Sequence, residues 1–169
     1  MNKKGRIKNW IALYTKARHE KAVASELEKK GFEIYLPLLR ARRKWSDRKK
    51  WVEFPLFKSY LFARITDDNK ISLGNTPGLV KVVKFGKKNA IVKESSINAI
   101  RLMLNGGYDP IPTNYFLKGD PVSVGSGPLK GLVGEVIRID NNDRLIVRID
   151  AIQHSISVDI ERKFLKPKS

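Results

Sequence analysis

The stretch GDPVSVGSGPLKGLVGEV, residues 119–136, constrains the fold of this chain more than any other part of the sequence. Its valines are spaced as in β-strands, yet five glycines and two prolines interrupt them. Glycine is favoured where the backbone needs a positive φ or a close approach, and proline is excluded from central strands. The stretch therefore predicts two short strands joined by a shaped loop at Gly125–Gly131.

Only strand-like segments follow this loop. Residues 132–139, 144–150 and 155–160 alternate apolar and polar side chains, and the DNND sequence at 140–143 is typical of a hairpin turn. Their β-branched residues disfavour a helix and suit a pleated sheet. Several short strands in one small region indicate a closed β-barrel, because closure removes exposed sheet edges. We expect this barrel in the free protein.

The N-terminal part mixes strands with helices. Apolar periodicity predicts helices at 16–31 and 94–104 and strands at 9–15, 32–39, 54–65, 79–86 and 88–93. This order is similar to a split βαβ layout with an antiparallel sheet, so the fold class is α+β. Residues 106–117 contain glycine, proline and asparagine without periodicity, which predicts a flexible linker. The expected domains are therefore 1–105 and 118–169, joined by the linker 106–117.

The charge distribution supports two domains with different tasks. The chain has 34 basic and 17 acidic residues, a net charge of +17. Residues 1–117 have a net charge of +15, whereas residues 118–169 have a net charge of only +2. The sequence has no strongly amphipathic basic helix, so we expect no membrane partner. Nucleic acid is the class of partner that best fits the basic half.

Catalytic and metal chemistry find little support in the sequence. The chain has no cysteine and two histidines, His19 and His154, which lie in different predicted domains. We therefore expect no enzyme, no metal site and no cofactor, and a reducing cytoplasm as the location. The pair Asp67–Asp68 is better explained by a helix N-terminus than by a magnesium site.

The glycine-rich stretch resembles a KOW motif, the strand–turn–strand unit of SH3-like barrels. The resemblance rests on Gly119, the Gly127-Pro128 turn, Gly131 and Gly134. We expect Gly127-Pro128 to set the turn, Gly131 to let the strands cross closely and Gly134 to keep the barrel from overfilling. Ribosomal and transcription proteins share this motif, so by itself it leaves both classes open.

The N-terminal half resembles the NusG family of transcription elongation factors. The similar segments are WIALYTKARHEKAVASELEKKGFEIYLPLL, FPLFKSYLFARI and NTPGLVKVVKFG, in this order before the KOW-like stretch. The details PLFKSYLF and VVKFGKKNAIV are more similar to the operon-restricted relatives RfaH and UpxY. Where the family more often has Pro-Gly or Pro-Asn, this chain has Lys58-Ser59.

The resemblance implies an NGN domain followed by a KOW domain. It implies a bacterial factor that binds the clamp helices of RNA polymerase, contacts the non-template DNA strand and suppresses pausing or termination, on particular operons such as surface polysaccharide loci. The KOW domain would recruit a ribosomal protein or the termination factor Rho through a surface near Ile152. The alternative is a ribosome-associated KOW protein whose basic half binds ribosomal RNA.

The resemblance also suggests a polymerase-binding surface. Tyr60 matches the family position that meets the polymerase, and a tyrosine ring can make apolar contacts while its hydroxyl remains solvated. Phe57, predicted in the same strand, and Tyr14 and Phe85 are further candidates. Burial of the strand's aromatic side chains in the core is the competing interpretation.

Two basic segments are candidates for nucleic-acid binding. Lys16, Arg18 and His19 lie at the predicted strand-to-helix junction, where RfaH-like proteins read the non-template strand; a surface histidine near a helix start explains His19 equally well. The run 40–50 combines many cations with Trp45 and, beside it, Trp51. Cations contact phosphates and indoles stack on bases, although a charge run is usually only a solvated face. The candidate residues in the run are Arg40, Arg42, Arg43 and Lys44.

Overall fold

The computed structural model describes residues 7–45, 48–66, 73–115, 118–139 and 141–168, with the backbone alone for 43–45. Asp67–Asp68 lies outside the described residues. Two compact units divide between Val92 and Lys93. The helices are α1 (Glu20–Lys29) and α2 (Glu94–Asn105). The strands are β1 (Asn9–Thr15), β2 (Glu33–Tyr35), β3 (Leu38–Trp45), β4 (Arg48–Pro55), β5 (Tyr60–Ile65), β6 (Leu79–Val82), β7 (Lys84–Phe85), β8 (Lys88–Asn89), β9 (Ile91–Val92), β10 (Ile111–Thr113), β11 (Asp120–Val124), β12 (Val133–Ile139), β13 (Asn142–Ile149), β14 (His154–Asp159) and β15 (Leu165–Pro167).

The first unit is built on an antiparallel sheet with the strand order β2-β5-β1-β6. Strand β9 pairs with β1 on the same side as β6, so these two short strands share one edge of β1. β1 is central because nearly all of its residues are apolar and buried. The predicted antiparallel sheet of this half is confirmed.

Helix α1 covers one face of this sheet. Ile11 and Leu13 of β1 point to this face, since side chains two apart in a strand share a side. They form one core cluster with Val23 and Leu27 of the helix. The helix begins at Glu20, four residues later than the periodicity predicts, because residues 16–19 form a turn instead.

The charged segment between the second and third predicted strands is a β-hairpin. Strands β3 and β4 pair from Leu38↔Pro55 to Trp45↔Arg48. The single strand predicted over 54–65 is therefore wrong: β4 ends at Pro55 and β5 begins at Tyr60, with a turn between them.

The second unit contains a six-stranded antiparallel sheet with the order β10-β14-β13-β12-β11-β15. The predicted strands of the C-terminal part are confirmed. The hairpin between β12 and β13 lies at the predicted turn 140–143, but Asn142 and Asp143 belong to β13, and residue 140 lies outside the described part. Within the predicted linker, residues 111–113 form β10, which pairs with β14 at the sheet edge. An edge strand tolerates Pro112, since its missing N–H is not needed by a further neighbour.

Helix α2 confirms the helix predicted over 94–104. Ile97, Ile100 and Met103 recur at helical spacing and are fully buried. Helix α2 belongs to the second unit. Among the described residues, neither helix is long and apolar enough to cross a membrane.

Candidate functional site

Three residues of the first unit form an aromatic and cationic patch, which we call the tyrosine patch: Tyr14, Tyr60 and Lys81. Tyr14 pairs with Tyr60 across β1 and β5 and with Lys81 across β1 and β6, so the three side chains share one face of the sheet. The tyrosine ring centroids are 5.2 Å apart, and Lys81 Nζ lies 5.8 Å from the Tyr14 ring centroid. Both tyrosines are half-buried and Lys81 is exposed. This face offers a partner apolar ring surface beside a positive charge.

The hydroxyl of Tyr60 ionises less readily than that of an exposed tyrosine. Burial raises the pKa of the Tyr60 hydroxyl, and the neighbouring Tyr14 raises it further. The hydroxyl therefore stays protonated at neutral pH, where it can donate a hydrogen bond while the ring makes apolar contacts.

A tight turn before β5 sets the position of Tyr60. Ser59 has φ of 64°, in the left-handed region that glycine or asparagine favours. The backbone conformation expected from the Pro-Gly or Pro-Asn of relatives is thus adopted here by serine. Glu20, only 5% exposed, accepts a hydrogen bond from the Ser59 N–H at 2.7 Å, and the Ser59 carbonyl accepts one from the Thr15 N–H at 2.8 Å. These bonds fix the turn to α1 and β1.

The other two candidates for this surface differ in their exposure. Phe57 is in the turn rather than in the strand, and it is 2% exposed, with its ring centroid 6.0 Å from that of Phe62. It is part of the aromatic core and presents no ring surface to a partner. Phe85 is 54% exposed at the end of β7, in a short hairpin with β8.

The predicted strand-to-helix junction is a sharp turn. The His19 N–H donates to the Lys16 carbonyl at 3.1 Å, and Arg18 has φ of 63°. All the side chains of residues 16–19 are exposed, and His19 Nδ1 lies 2.9 Å from the Ala17 carbonyl. Lys16 and Arg18 are therefore presented to solvent just after the end of the central strand β1.

Gly78 holds this junction in place. Its carbonyl accepts a hydrogen bond from the Lys16 N–H at 2.9 Å, and its φ is +88°. A Cβ added there would lie 3.0 Å from two carbons of His19. His19 thus packs closely against Gly78, which gives the histidine a structural role.

The basic run forms the β3–β4 hairpin, which we call the basic hairpin. Arg40 and Arg42 are exposed on β3, and Arg48, Lys49 and Lys50 are exposed on β4. Arg40 Nε lies 3.4 Å from Glu53 Oε1, and its guanidinium carbon is 5.8 Å from the Trp51 ring centroid. Arg43 and Lys44 lie in β3, and their side chains are outside the described part of the structure. The hairpin concentrates exposed positive charge around an exposed indole.

The glycines of the KOW-like stretch have separate backbone roles. Gly127 has φ of +80° and sets the predicted turn, next to the exposed Pro128. A Cβ on Gly134 would lie 2.4 Å from the Ile146 carbonyl oxygen. A Cβ on Gly119 would lie 2.5 Å from the Val136 carbonyl oxygen. The expectation that Gly131 lets the strands cross closely is wrong, because a Cβ there would meet nothing within 4 Å. Glycine is required at this position by its φ of +92°.

A partly buried polar network holds the start of this stretch. Glu135 accepts hydrogen bonds from the Gly119 N–H at 2.7 Å and from Arg148 Nη2 at 2.7 Å. Burial tends to raise the pKa of Glu135, but these two partners outweigh it and hold the pKa below its ordinary value. Arg148 also donates to the Tyr115 carbonyl at 2.8 Å. The network thus fixes the segment before β11 to the middle of the sheet.

The predicted partner residue of the second unit is not on the surface. Ile152 is 6% exposed, because the short 3-10 turn that contains it folds its side chain inward. The turn exposes Asp150 and Gln153 instead. Among the described residues, no cluster of histidine, aspartate or glutamate could hold a metal ion.

The structure brings together residues that the sequence alone leaves unnoticed. Glu20 was not predicted as a site residue, although an acidic first residue of a helix is a visible signal for a local backbone contact. Lys81 joins the tyrosine patch only through the pairing of β6 with β1. Trp51 comes opposite Arg42 through the register of the hairpin. These contacts depend on strand register, which short charged segments do not reveal.

Comparison with known proteins gives one family. A family model described as NusG, transcription termination factor nusG, matches residues 8–101, which is more than half of the chain. No curated protein sequence gives a significant match.

A solved NusG structure shares the fold of this chain. A structure reporting the domain interaction in Thermotoga maritima NusG is 22% identical to this chain, with a TM-score of 0.56, and the match covers 96% of this chain and 98% of that one. Conformations A and B of the MjSpt4:Spt5 complex are 21% and 22% identical, with TM-scores of 0.30 and 0.32. Both matches cover 95% of this chain. They cover 98% of the matched chain in conformation A and 97% in conformation B.

Proposed function

Because this chain belongs to the NusG family of transcription elongation factors, we propose that it is a bacterial elongation and antitermination factor that acts in the cytoplasm on RNA polymerase. Its N-terminal NGN unit binds the clamp helices of the polymerase and suppresses pausing or termination. The factor is non-enzymatic and works by binding alone.

The tyrosine patch is the observation that carries this proposal. Half-buried aromatic side chains that remain accessible are the usual anchors of protein interfaces. Tyr60 and Tyr14 offer such anchors, and Lys81 offers a cation toward an acidic partner. Phe85 extends the surface, whereas Phe57 supports it from the core.

The nucleic-acid partner is the non-template DNA strand. Lys16 and Arg18 are held outward by the junction turn, and the basic hairpin adds five exposed cations among its described side chains. Cations that neutralise phosphates release condensed counterions, so binding is favourable and depends steeply on salt. His19 contributes through its packing on Gly78 rather than through base recognition.

The second unit acts as an SH3-like KOW barrel that recruits a ribosomal protein or Rho. Support comes from the six-stranded antiparallel sheet and from the glycine positions of the motif. We place the partner surface at Asp150 and Gln153, the exposed residues of the turn that buries Ile152.

The specialised role is an operon-restricted one, as in RfaH and UpxY, at loci such as those for surface polysaccharides. It rests on the similarity of PLFKSYLF and VVKFGKKNAIV to those relatives. Reporter transcription from candidate operons, with and without the factor, tests this part separately from polymerase binding.

Direct binding to purified bacterial RNA polymerase tests the central proposal. We expect Tyr60→Ala to weaken binding by about 1–2 kcal/mol, or roughly 5- to 30-fold, as truncation of an aromatic anchor does. Tyr60→Phe should keep most of the affinity because the ring remains. Ile91→Ala is the matched control, since Ile91 is 58% exposed and pairs with Ile11 on the opposite face of the sheet.

Circular dichroism of each variant separates loss of the interface from loss of the fold. A folded Tyr60→Ala variant that binds polymerase as tightly as the parent would show that the tyrosine patch is not the interface. Binding of the parent protein to ribosomes but not to polymerase would favour the ribosome-associated alternative.

A further inference from the structure

Trp51 is unusually exposed for a tryptophan in a strand. It is 59% exposed at the centre of the basic hairpin, whose apolar residues Leu39, Val52 and Phe54 lie on the opposite face. On the face of Trp51, the apolar residues are Leu38 and Pro55, the terminal pair of the hairpin. Leu39 pairs with Phe54, and residues an odd number of positions apart along a strand point to opposite faces. The indole is therefore not an anchor for the hairpin's own apolar side.

Charged residues surround the indole on its own face. Arg42 lies directly opposite Trp51 across the two strands, and Lys49 lies two residues before it on β4. Directly opposed positions place Cβ atoms about 5 Å apart, and positions two apart in a strand are separated by about 7 Å. Both side chains are exposed. The face thus presents a planar apolar ring with one cation across from it and a second cation beside it on the same strand.

Arg40 orients the indole. Its guanidinium carbon is 5.8 Å from the Trp51 ring centroid, and Glu53 holds the guanidinium at 3.4 Å. The cation occupies one part of the ring surface, yet more than half of the side chain still faces solvent. This contact restrains the ring without covering it.

We propose that Trp51 is a stacking site for an unpaired nucleobase, with Arg42 and Lys49 binding the phosphates on either side of it. The proposal rests on the nucleic-acid role proposed above and assigns the class of ligand: single-stranded nucleic acid. A base within a duplex has both ring faces covered by its neighbours, so an indole on an open sheet face selects unpaired bases. The non-template DNA strand and nascent RNA both supply such bases.

The experiment measures binding of the full-length protein to labelled oligodeoxythymidine by fluorescence anisotropy over a range of salt concentrations. Trp51→Ala should weaken binding by about 5- to 150-fold at every salt concentration, because one stacked base is lost. The slope of log K against log salt should stay unchanged, since no charge is removed. The double variant Arg42→Gln with Lys49→Gln should make this slope shallower by about 1.4. Ile91→Ala, which removes an apolar side chain of similar exposure (58%) outside the hairpin, is the matched control and should bind as the parent does.

Two further measurements detect the stacked base itself. An oligonucleotide of equal charge with abasic positions should bind the parent protein as weakly as oligodeoxythymidine binds Trp51→Ala. In a Trp45→Phe background, oligodeoxythymidine should quench tryptophan emission, and adding Trp51→Phe should abolish the quenching because Trp10 is 2% exposed. Trp51→Phe should also restore part of the affinity that Trp51→Ala loses.

The outcomes separate this inference from the proposed function. Equal affinity of parent and Trp51→Ala, with no preference for thymidine over abasic sites, would overturn the stacking site and leave binding through charge alone. Failure of the parent to bind any single strand at low salt would overturn the stacking site and the nucleic-acid role together, whereas polymerase binding is measured independently. If Trp51→Ala loses affinity for oligouridine as well as for oligodeoxythymidine, the stacking site is supported. Whichever of the two oligonucleotides the parent protein binds more tightly then identifies RNA or DNA as the source of the stacked base.

Discussion

Glu20→Ala should destabilise the first unit by about 1.5–3 kcal/mol, the usual contribution of a hydrogen bond to a charged group. Glu20 is 5% exposed, and its carboxylate accepts the Ser59 N–H at 2.7 Å. The substitution leaves that N–H without its acceptor in a part-buried turn whose left-handed residue already costs conformational energy. Glu20→Gln keeps an acceptor oxygen but not the charge, so we expect roughly half of the loss.

Tryptophan fluorescence during urea unfolding measures this effect in the first unit alone. All three tryptophans, at positions 10, 45 and 51, precede the division between the two units at Val92. With an m-value of about 1–2 kcal/mol/M, a loss of 2 kcal/mol lowers the urea midpoint by about 1–2 M. A constant m-value across the variants would show that the change is one of stability.

Glu26→Ala is the control, because Glu26 lies on the same helix but forms only an exposed pair with Lys29 at 2.8 Å. Exposed pairs of this kind contribute little, so its midpoint should equal that of the parent. If Glu20→Ala and Glu26→Ala had the same midpoint, the argument that Glu20 holds the Ser59 turn would be refuted.

The second unit permits two further predictions. Gly134→Ala should lower the stability of this unit by about 1–3 kcal/mol, since the new Cβ would lie 2.4 Å from the Ile146 carbonyl oxygen. Gly125→Ala should be tolerated, because the three atoms nearest to its Cβ belong to the flexible Lys166 side chain. Amide hydrogen exchange across β12–β14 distinguishes the two variants. The pKa of Glu135 is lowered in the fold, so its contribution is present above the ordinary carboxyl pKa and is lost as the pH falls through the folded value. Glu135→Gln should therefore flatten the acid dependence of the same exchange measurement, and an unchanged pH profile would remove Glu135 from the account.

The strands that alternate cleanly were predictable from the sequence. Leu145, Val147 and Ile149 point to one side of β13, and the period of two identifies such a strand without any knowledge of its neighbours. The basic hairpin gave no such signal, because Lys49 and Lys50 are consecutive and therefore put cations on both faces. A strand with charge on both sides is indistinguishable from a polar loop in the sequence.

The candidate site was predictable in part, and the two residues that were wrongly assigned to surfaces share one cause. Tyr14 and Tyr60 were identified, and the structure places their rings together. Phe57 and Ile152 were assigned to surfaces, yet each lies in a short turn that folds its side chain inward. Whether a turn residue faces the core depends on backbone geometry such as the φ of 64° at Ser59, which follows from tertiary contacts rather than from residue type.

The first turn of α1 connects the two proposed binding surfaces. Glu20 holds the turn that leads into Tyr60, and the next residue, Lys21, donates from Nζ to the Glu53 carbonyl of the basic hairpin at 2.8 Å. The base of the hairpin is also fixed by the Leu56 N–H, which donates to the Pro37 carbonyl at 2.9 Å. The tyrosine patch and the hairpin are therefore fixed relative to one another by bonds to a single helix end. A factor that must hold polymerase and a nucleic-acid strand at the same time requires such a fixed geometry, since flexibility between two contacts lowers the effective concentration of the second.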